Sequence, residues 1–340
     1  MVILDAPPLS AGTPPTTRRR VIRSVSESGD RTFRAITLTG AVVVIGVMLG
    51  IGVFLGLKAW PALVVAKFRF LTTQVWEPDD HVFGIGGVLP NTILIALVAL
   101  AVSIPVSLGL SLFISEIAPK RLQRALILVV DLMAAVPSVV YALWGFNYLQ
   151  GHTIGVSRFL ATWFGWIPIF RVVGPASGNI LGSSNAFTAS TFIVGLCVSL
   201  MVIPIQCSVM REAFSRAPVG EREAAYALGG TRWGMIRTVV LPFGRGGIIG
   251  GTMLGLGRAL GETITVLLII SPVYRINWHI LQTGGNSISA LIGALYGDAS
   301  KFGTSALMAA GAALFILTLG INFVASTIVG RSRAGSARPV

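Results

Sequence analysis

The chain has 340 residues, of which 54% are hydrophobic and only 11% are charged, and its mean hydropathy is +0.80. Average soluble chains carry about 25% charged residues, so this composition excludes an ordinary soluble domain. It predicts an all-α integral membrane protein. The net charge of +13 would suggest nucleic acid binding in a soluble chain, but the positions of the basic residues favour a membrane explanation.

Six apolar segments are long enough to cross a bilayer, which takes about 20 residues. They cover residues 36–57, 86–115, 123–148, 188–209, 246–271 and 305–329. A polar, Arg-rich tail at residues 1–34 is predicted to be disordered and cytosolic. Residues 35–330 then form the membrane domain, and residues 331–340 form a second cytosolic tail. We expect the first segment to be retained as an anchor.

Basic residues are concentrated in both tails and in the loops after the second and fourth spans. Positively charged loops stay on the cytoplasmic side, so six spans predict that both termini are cytoplasmic. Attraction to anionic lipid then accounts for the net charge without nucleic acid. The opposite loops, residues 149–187 and 272–304, are rich in aromatic residues or contain a short amphipathic piece. They are predicted to lie at the interface, where an extracytoplasmic protein could dock.

The loop at residues 211–245 holds the most informative stretch, with the sequence EREAAYALGGTRWGMIRTVVLP at 221–242. Good helix formers precede Gly229, which ends the helix because a left-handed residue costs glycine nothing. The small side chains of Ala224 and Ala225 would let another protein approach closely. The alternative is an amphipathic linker at the headgroups with nothing docked.

A second helix is predicted after the Gly-Gly turn of this loop. Thr231 can cap its start. Trp233, Ile236 and Val240 fall on one apolar face, and Pro242 is expected to end the helix. The two helices would then lie at the membrane surface.

ATP hydrolysis is not predicted for this chain. A phosphate-binding loop needs a lysine after a glycine, and none of the four lysines follows one. ATP and magnesium would therefore belong to a partner chain, and no cofactor is expected here.

The fifth span contains two charged residues, Arg258 and Glu262, whose i, i+4 spacing predicts a shared helix face. Charged residues within a span face a bundle interior or a wet cavity. They either neutralise each other as an ion pair or line a translocation path on which Arg258 attracts an anion. Gly247, Gly251 and Gly255 form a stripe of small residues that lets another helix come close.

The third span contains Asp131, followed by Pro137. Asp131 could pair with Arg258 or extend toward the cytosol. Pro137 should kink the span and leave a carbonyl free, because proline has no backbone donor. The charges of both spans sum to −1, so an anion site would require release of Arg258 from its pair or positive charge from a second subunit.

Residues 127–144, 221–242 and 254–266 together resemble the phosphate-specific ABC importer permeases of the PstC type. In the family's EAA loop a glycine follows the glutamate by six positions, as Gly229 follows Glu223. Leu-Pro closes the loop here as in the family, with Val239 in place of the usual isoleucine. The similarity covers most of the chain from about residue 84.

This resemblance implies a six-span, type I importer permease with a cytosolic coupling helix in a bacterial plasma membrane. It implies a heterodimer with a PstA-like permease, two PstB-like ATPases inside and a PstS-like phosphate-binding protein outside. Phosphate passage is implied for Arg258, Glu262 and Asp131. Docking of the ATPase is implied for Glu223, Ala224, Ala225, Gly229, Leu241 and Pro242.

Two other functions are compatible with parts of the sequence. One is a permease of the same class for another oxyanion, such as molybdate or sulfate. The other is a membrane enzyme acting on phosphorylated lipid, which would need clustered acid, base or nucleophilic groups. His81, His152 and His279 are far apart in the chain and form no paired motif.

Overall fold

The structure, a computed structural model, describes residues 27–173 and 184–334. The chain divides into two compact units, Met1–Ile51 and Gly52–Val340. The predicted tails fall largely outside the described residues, at 1–26 and 335–340. The parts of those tails that are described, residues 27–34 and 331–334, are helical, because the terminal helices extend beyond their apolar cores.

Twelve α-helices and one small hairpin occur in the described residues. The helices are α1 (Glu27–Ala66), α2 (Val88–Leu112), α3 (Lys120–Ala135), α4 (Ser138–Trp144), α5 (Gln150–Phe164), α6 (Thr191–Ser215), α7 (Val219–Ala227), α8 (Arg232–Met235), α9 (Leu241–Leu260), α10 (Ile264–Ile269), α11 (Ile288–Leu295) and α12 (Lys301–Ala334). Strands β1 (Trp76–Glu77) and β2 (Val82–Phe83) pair antiparallel.

Five helical segments of the described chain are long and apolar enough to cross a membrane, and a sixth is a bent pair. The five are Asp30–Leu71, Val88–Ile117, Thr191–Ser215, Arg232–Leu260 and Lys301–Val324. The third predicted span, 123–148, is sharply bent at Pro137, where a kink was predicted. The helical stretches Lys120–Ala135 and Ser138–Phe164 meet at an angle of 91°, because Val136, before Pro137, adopts extended backbone.

The predicted fifth span, 246–271, also differs from the structure at both ends. Its helix begins earlier, because α8 continues through a π-helical turn at Ile236–Val240 into α9. It ends earlier too, at Leu260, and α10 begins only at Ile264. The span is therefore interrupted where Glu262 lies.

Helices α2, α6 and α9 form the centre of the second unit and pack closely against one another. Glycines on α9 make this approach possible. A Cβ at Gly247 would lie 2.1 Å from the Ala213 Cβ, and one at Gly255 would lie 2.3 Å from the Gln206 Nε2. Small residues thus bring the α9 backbone against α6.

The two predicted outer segments differ from each other. In the first, 149–187, the described residues up to Phe164 are helical, because α5 continues the helical stretch that begins with α4; residues 174–183 lie outside the described residues. In the other segment, α11 at Ile288–Leu295 lies where the short amphipathic piece was expected. The hairpin packs Phe83 against the rings of Phe70, Trp76 and Phe302.

Candidate coupling loop and translocation site

The loop predicted at residues 211–245 is called the coupling loop below. Its first helix is α7, and the ends of α7 follow from the local sequence. Pro218 precedes its first residue, where a missing backbone donor is harmless. After the helix, Gly229 has a φ of +81°, a conformation that glycine adopts without a Cβ penalty. Glu223, Ala224 and Gly229 are exposed, so this part of the loop is available to a partner.

Other residues of the loop face inward. Ala225 and Leu241 pack against a buried cluster that includes Met210, Phe214 and Val240. Ala225 therefore belongs to the packing of the loop on the end of α6. The exposed and packed sides of the loop are thus distinct.

The second helix of the loop starts as expected, since the Thr231 hydroxyl accepts a hydrogen bond from the Gly234 amide at 3.1 Å. The predicted apolar face is only partly buried. Ile236 is inaccessible, whereas Trp233 is 62% exposed. The prediction that Pro242 ends this helix is wrong. Proline occupies the first turn of α9 directly after the π-helical turn, where the altered hydrogen-bond pattern accommodates it.

The break after α9 is held by polar side chains. The Glu262 Oε1 atom accepts hydrogen bonds from the Thr265 amide at 3.1 Å and from the Thr265 hydroxyl at 3.0 Å. The Ser289 hydroxyl lies 3.3 Å from the Leu260 carbonyl oxygen and 3.2 Å from that of Glu262. Backbone groups freed by the break thus have partners, which non-helical backbone at membrane depth requires.

Arg258 lies in the last turn of α9, where the helix dipole favours a positive charge. It is half-buried, and its Nε atom is buried without a hydrogen-bond partner. No ion pair or hydrogen bond joins Arg258 to Glu262 or to another residue in the described parts of the chain. Of the two alternatives, the ion pair is therefore not formed among the described residues, because Glu262 lies past the end of the helix and its carboxylate binds Thr265.

The surroundings of Arg258 include the first turns of α4. Tyr141 of α4 packs against the buried cluster that includes Ala259 and Leu260, the two residues after Arg258, and its hydroxyl donates a hydrogen bond to the Met133 carbonyl oxygen at 3.0 Å. This bond reaches across the bend at Pro137 and satisfies a carbonyl near the end of α3. The Cys197 thiol of α6 donates to the Tyr141 carbonyl oxygen at 3.2 Å. The bend and the broken fifth span therefore meet beside Arg258.

Asp131 lies in a different place. It is exposed on α3, next to Val130, which packs in a buried cluster with Cys207 of α6. Cys207 is ten residues along α6 from Cys197, or about 15 Å at 1.5 Å per residue. The alternative in which Asp131 pairs with Arg258 is not found among the described residues.

Sequence reasoning did not single out Glu116 and Arg222. The Arg222 Nη1 and Glu116 Oε2 atoms form an ion pair at 3.1 Å, and the Arg222 Nη2 atom donates to the Phe214 carbonyl oxygen at 2.6 Å. The signal available in the sequence was the position of Glu116, an acidic residue at the end of a span and just before Ala118-Pro119. Its partner 106 positions away could not be identified without the fold.

The comparisons with known proteins agree with this arrangement. Residues 107–333 match the family described as binding-protein-dependent transport system inner membrane component. A crystal structure of a bacterial ABC transporter involved in the import of the acidic polysaccharide alginate matches with a TM-score of 0.53 and 18% identity. The match covers 88% of this chain and 99% of the alginate transporter chain. It supports the fold alone.

The chain therefore belongs to the binding-protein-dependent transport system inner membrane components, the permease subunits of ABC importers. Such a subunit is a non-catalytic, multi-pass membrane protein that works with another permease, an ATPase and a binding protein.

Within that class the relatives are more specific. The phosphate transport system permease protein PstC 2 of Mycobacterium tuberculosis is 37% identical over 306 residues, 89% of this chain and 92% of that protein. The PstC protein of Pasteurella multocida is 32% identical over 300 residues, 88% of this chain and 91% of its own length. The chain is thus a member of the PstC permeases, which confirms the resemblance found in the sequence.

Proposed function

We propose that this chain forms half of the membrane path of an ATP-driven phosphate importer. Its relatives are named as phosphate transport permeases. The observation that carries the proposal is the guanidinium of Arg258 beside the break in the fifth span, which forms no ion pair with any residue that the structure describes.

Arg258 is suited to an oxyanion because its planar guanidinium donates several hydrogen bonds in a fixed fork. Since Glu262 binds Thr265, the arginine need not first be released from an ion pair. Broken helices at membrane depth commonly form substrate sites in transporters. In this proposal Glu262 keeps the break in shape, and Asp131 acts farther along the path, toward the cytosol.

The coupling loop receives the motion of the ATPase. Glu223, Ala224 and Gly229 are exposed on or directly after α7, and Leu228 is 89% exposed. These residues would form the surface that the ATPase grips. Closure of two ATPases would draw the coupling helices of both permeases together and open the path to the outside.

The complete assembly would contain a PstA-like permease, two PstB-like ATPases and a PstS-like phosphate-binding protein. ATP and magnesium would bind to the ATPases, and this chain would bind no cofactor. Both termini would lie on the cytoplasmic side of a bacterial plasma membrane, as the distribution of basic residues indicates.

The alternatives are weaker. The histidines His81, His152 and His279 contact Phe302, Tyr148 and Pro168 respectively, so they do not assemble a hydrolytic site for lipid. No group of three metal-binding side chains occurs in the part of the chain that the structure covers. An importer of molybdate or sulfate would use the same Arg258 guanidinium, so an experiment must distinguish these oxyanions from phosphate.

The test is transport by the purified complex in vesicles, with loaded binding protein outside and ATP inside the lumen. Labelled phosphate should accumulate, and excess unlabelled phosphate should compete more strongly than molybdate or sulfate. Transport of molybdate or sulfate without transport of phosphate would refute the proposed substrate.

A further inference from the structure

We propose that Arg222 and Glu116 form the joint that transmits movement of the coupling helix to the membrane spans. This inference rests on the proposed transport function and extends it to two positioning residues. Neither residue would touch the substrate or the ATPase surface. Both would act by holding α7 against the ends of two spans.

The geometry places one guanidinium between three segments of the chain. Arg222 is part of α7. Its Nη1 atom pairs with the Glu116 carboxylate, which belongs to the π-helical turn that ends the second span. Its Nη2 atom donates to the Phe214 carbonyl oxygen in the last turn of α6. A force on α7 therefore reaches both spans through one side chain.

Contacts beyond Arg222 continue toward the fifth span. The Phe214 ring is fully buried, and a Cβ at Gly244 would lie 2.3 Å from its Cδ1 atom. The first turn of α9 is thus in close contact with the residue whose carbonyl Arg222 binds. Displacement of the joint would move α6 and α9 together, and Arg258 lies at the other end of α9.

Burial distinguishes this pair from an ordinary surface ion pair. The Glu116 side chain is 3% exposed and that of Arg222 is 20% exposed. The Glu116 Oε1 and Arg222 Nε atoms are buried without hydrogen bonds. Such an incompletely satisfied pair is a poor source of stability, because desolvation offsets its Coulomb attraction. A role in fixing position explains its burial better than a role in stabilising the fold.

The chain offers a matched control a few residues away. Glu212 and Arg216 form an ion pair of 3.0 Å within one helical stretch, but their side chains are 59% and 71% exposed. Exposed pairs of this kind contribute little. Glu212→Gln therefore removes a cytosolic carboxylate from an ion pair without touching the joint.

The experiment measures phosphate transported per ATP hydrolysed by the complete transporter in vesicles. Glu116→Gln and Arg222→Gln should each lower this ratio about 10-fold, while the double variant should be no worse than the worse single variant. The ATPase should still co-purify in wild-type amount. Glu212→Gln should keep the wild-type ratio.

Several outcomes would overturn the inference: a wild-type ratio in both single variants, additive losses in the double variant, or loss of the ATPase from the complex. If Glu116→Gln does not assemble, Arg222→Lys takes its place, since an ammonium lacks the fork that bridges carboxylate and carbonyl. A wild-type ratio for that variant would also overturn it. Failure of the wild-type complex to transport phosphate would instead refute the proposed function.

Discussion

Arg222 and Arg258 are both partly buried arginines near helix ends, but their surroundings are opposite. The Arg222 guanidinium binds a carboxylate on one span and a backbone carbonyl on another. The Arg258 guanidinium has no such partner among the residues that the structure describes, and its Nε atom is buried without a hydrogen bond. Residue type alone does not separate them.

The difference indicates two uses of the same side chain. A guanidinium whose donors are occupied by the protein can hold segments together, whereas one whose donors are unoccupied can bind an anion. The acidic residues near the two arginines differ in the same way. Glu116 is bound to Arg222, and Glu262 is bound to Thr265, so only Arg222 is neutralised by an ion pair.

The largest effect is expected from Arg258→Gln. Hydrogen bonds to charged groups contribute about 1.5–3 kcal/mol, so phosphate transport should fall about 10- to 100-fold. The loss should appear as less transport together with weaker stimulation of the ATPase by loaded binding protein. Assembly should be unchanged, because Arg258 holds no other described segment.

Arg222→Gln provides the contrast to that variant. It should lower transport per ATP while the phosphate concentration for half-maximal transport stays unchanged. The division between an anion-binding and a positioning arginine would be wrong if Arg258→Gln and Arg222→Gln changed the transport per ATP and the phosphate concentration for half-maximal transport in the same way.

The α6–α9 contact lies between the two arginines and supplies the next test. In Gly255→Ala the added Cβ would lie 2.3 Å from the Gln206 Nε2 atom and 2.6 Å from the Val202 Cγ1 atom. Overpacking of this kind costs about 1–3 kcal/mol, so the thermal midpoint of the purified permease should fall.

Gly257→Ala is the control for this variant, since a Cβ there meets nothing within 4 Å. It should leave the midpoint unchanged or raise it slightly, because alanine favours helix over glycine. Equal midpoints for the two variants would show that α9 does not depend on the close approach at Gly255.

The sequence predicted the coupling loop better than the region around Arg258. The all-α fold class is confirmed by the comparisons, and the ends of α7 follow from local rules at Pro218 and Gly229. These features depend on residues within one turn of the helix, which a sequence shows directly.

The region around Arg258 depends on contacts between distant segments. The i, i+4 spacing of Arg258 and Glu262 predicts an ion pair only if the helix continues, and Ser289 and Thr265 instead stabilise a break. The kink at Pro137 was predicted from the chemistry of proline, but the hydrogen bond from Tyr141 that spans the 91° bend is a contact that hydropathy does not reveal. Membrane spans look continuous in sequence even where tertiary contacts interrupt them.

A smaller effect is expected at the turn that ends α7. Gly229 has a φ of +81°, and a Cβ there meets nothing within 4 Å, so Gly229→Ala introduces strain without a clash. A left-handed alanine costs about 1–2 kcal/mol. The amides of α7 should therefore exchange hydrogen faster, by about 5- to 30-fold, and transport per ATP should decrease.

Gly220→Ala in the same helix is the matched control, because Gly220 has ordinary helical backbone and open space around a Cβ. It should slow exchange in α7. Unchanged exchange in Gly229→Ala would mean that the turn is not needed to hold α7 on the Arg222 joint.

The smallest effect is expected from Glu262→Gln, and it bears most directly on the contrast between the two arginines. The glutamine oxygen can still accept from the Thr265 amide and hydroxyl, so the break should persist and transport should fall by no more than about 3-fold. Glu262→Leu removes the acceptor, leaves the buried Thr265 amide unsatisfied and leaves the Thr265 hydroxyl with only the Met201 Sδ atom. An unsatisfied buried donor costs about 1–3 kcal/mol, so this should be the more damaging variant. If Glu262→Gln instead abolished transport as strongly as Arg258→Gln, the carboxylate charge itself would be acting with Arg258. The two arginines would then differ in when they are paired during the transport cycle, and not in whether they are paired.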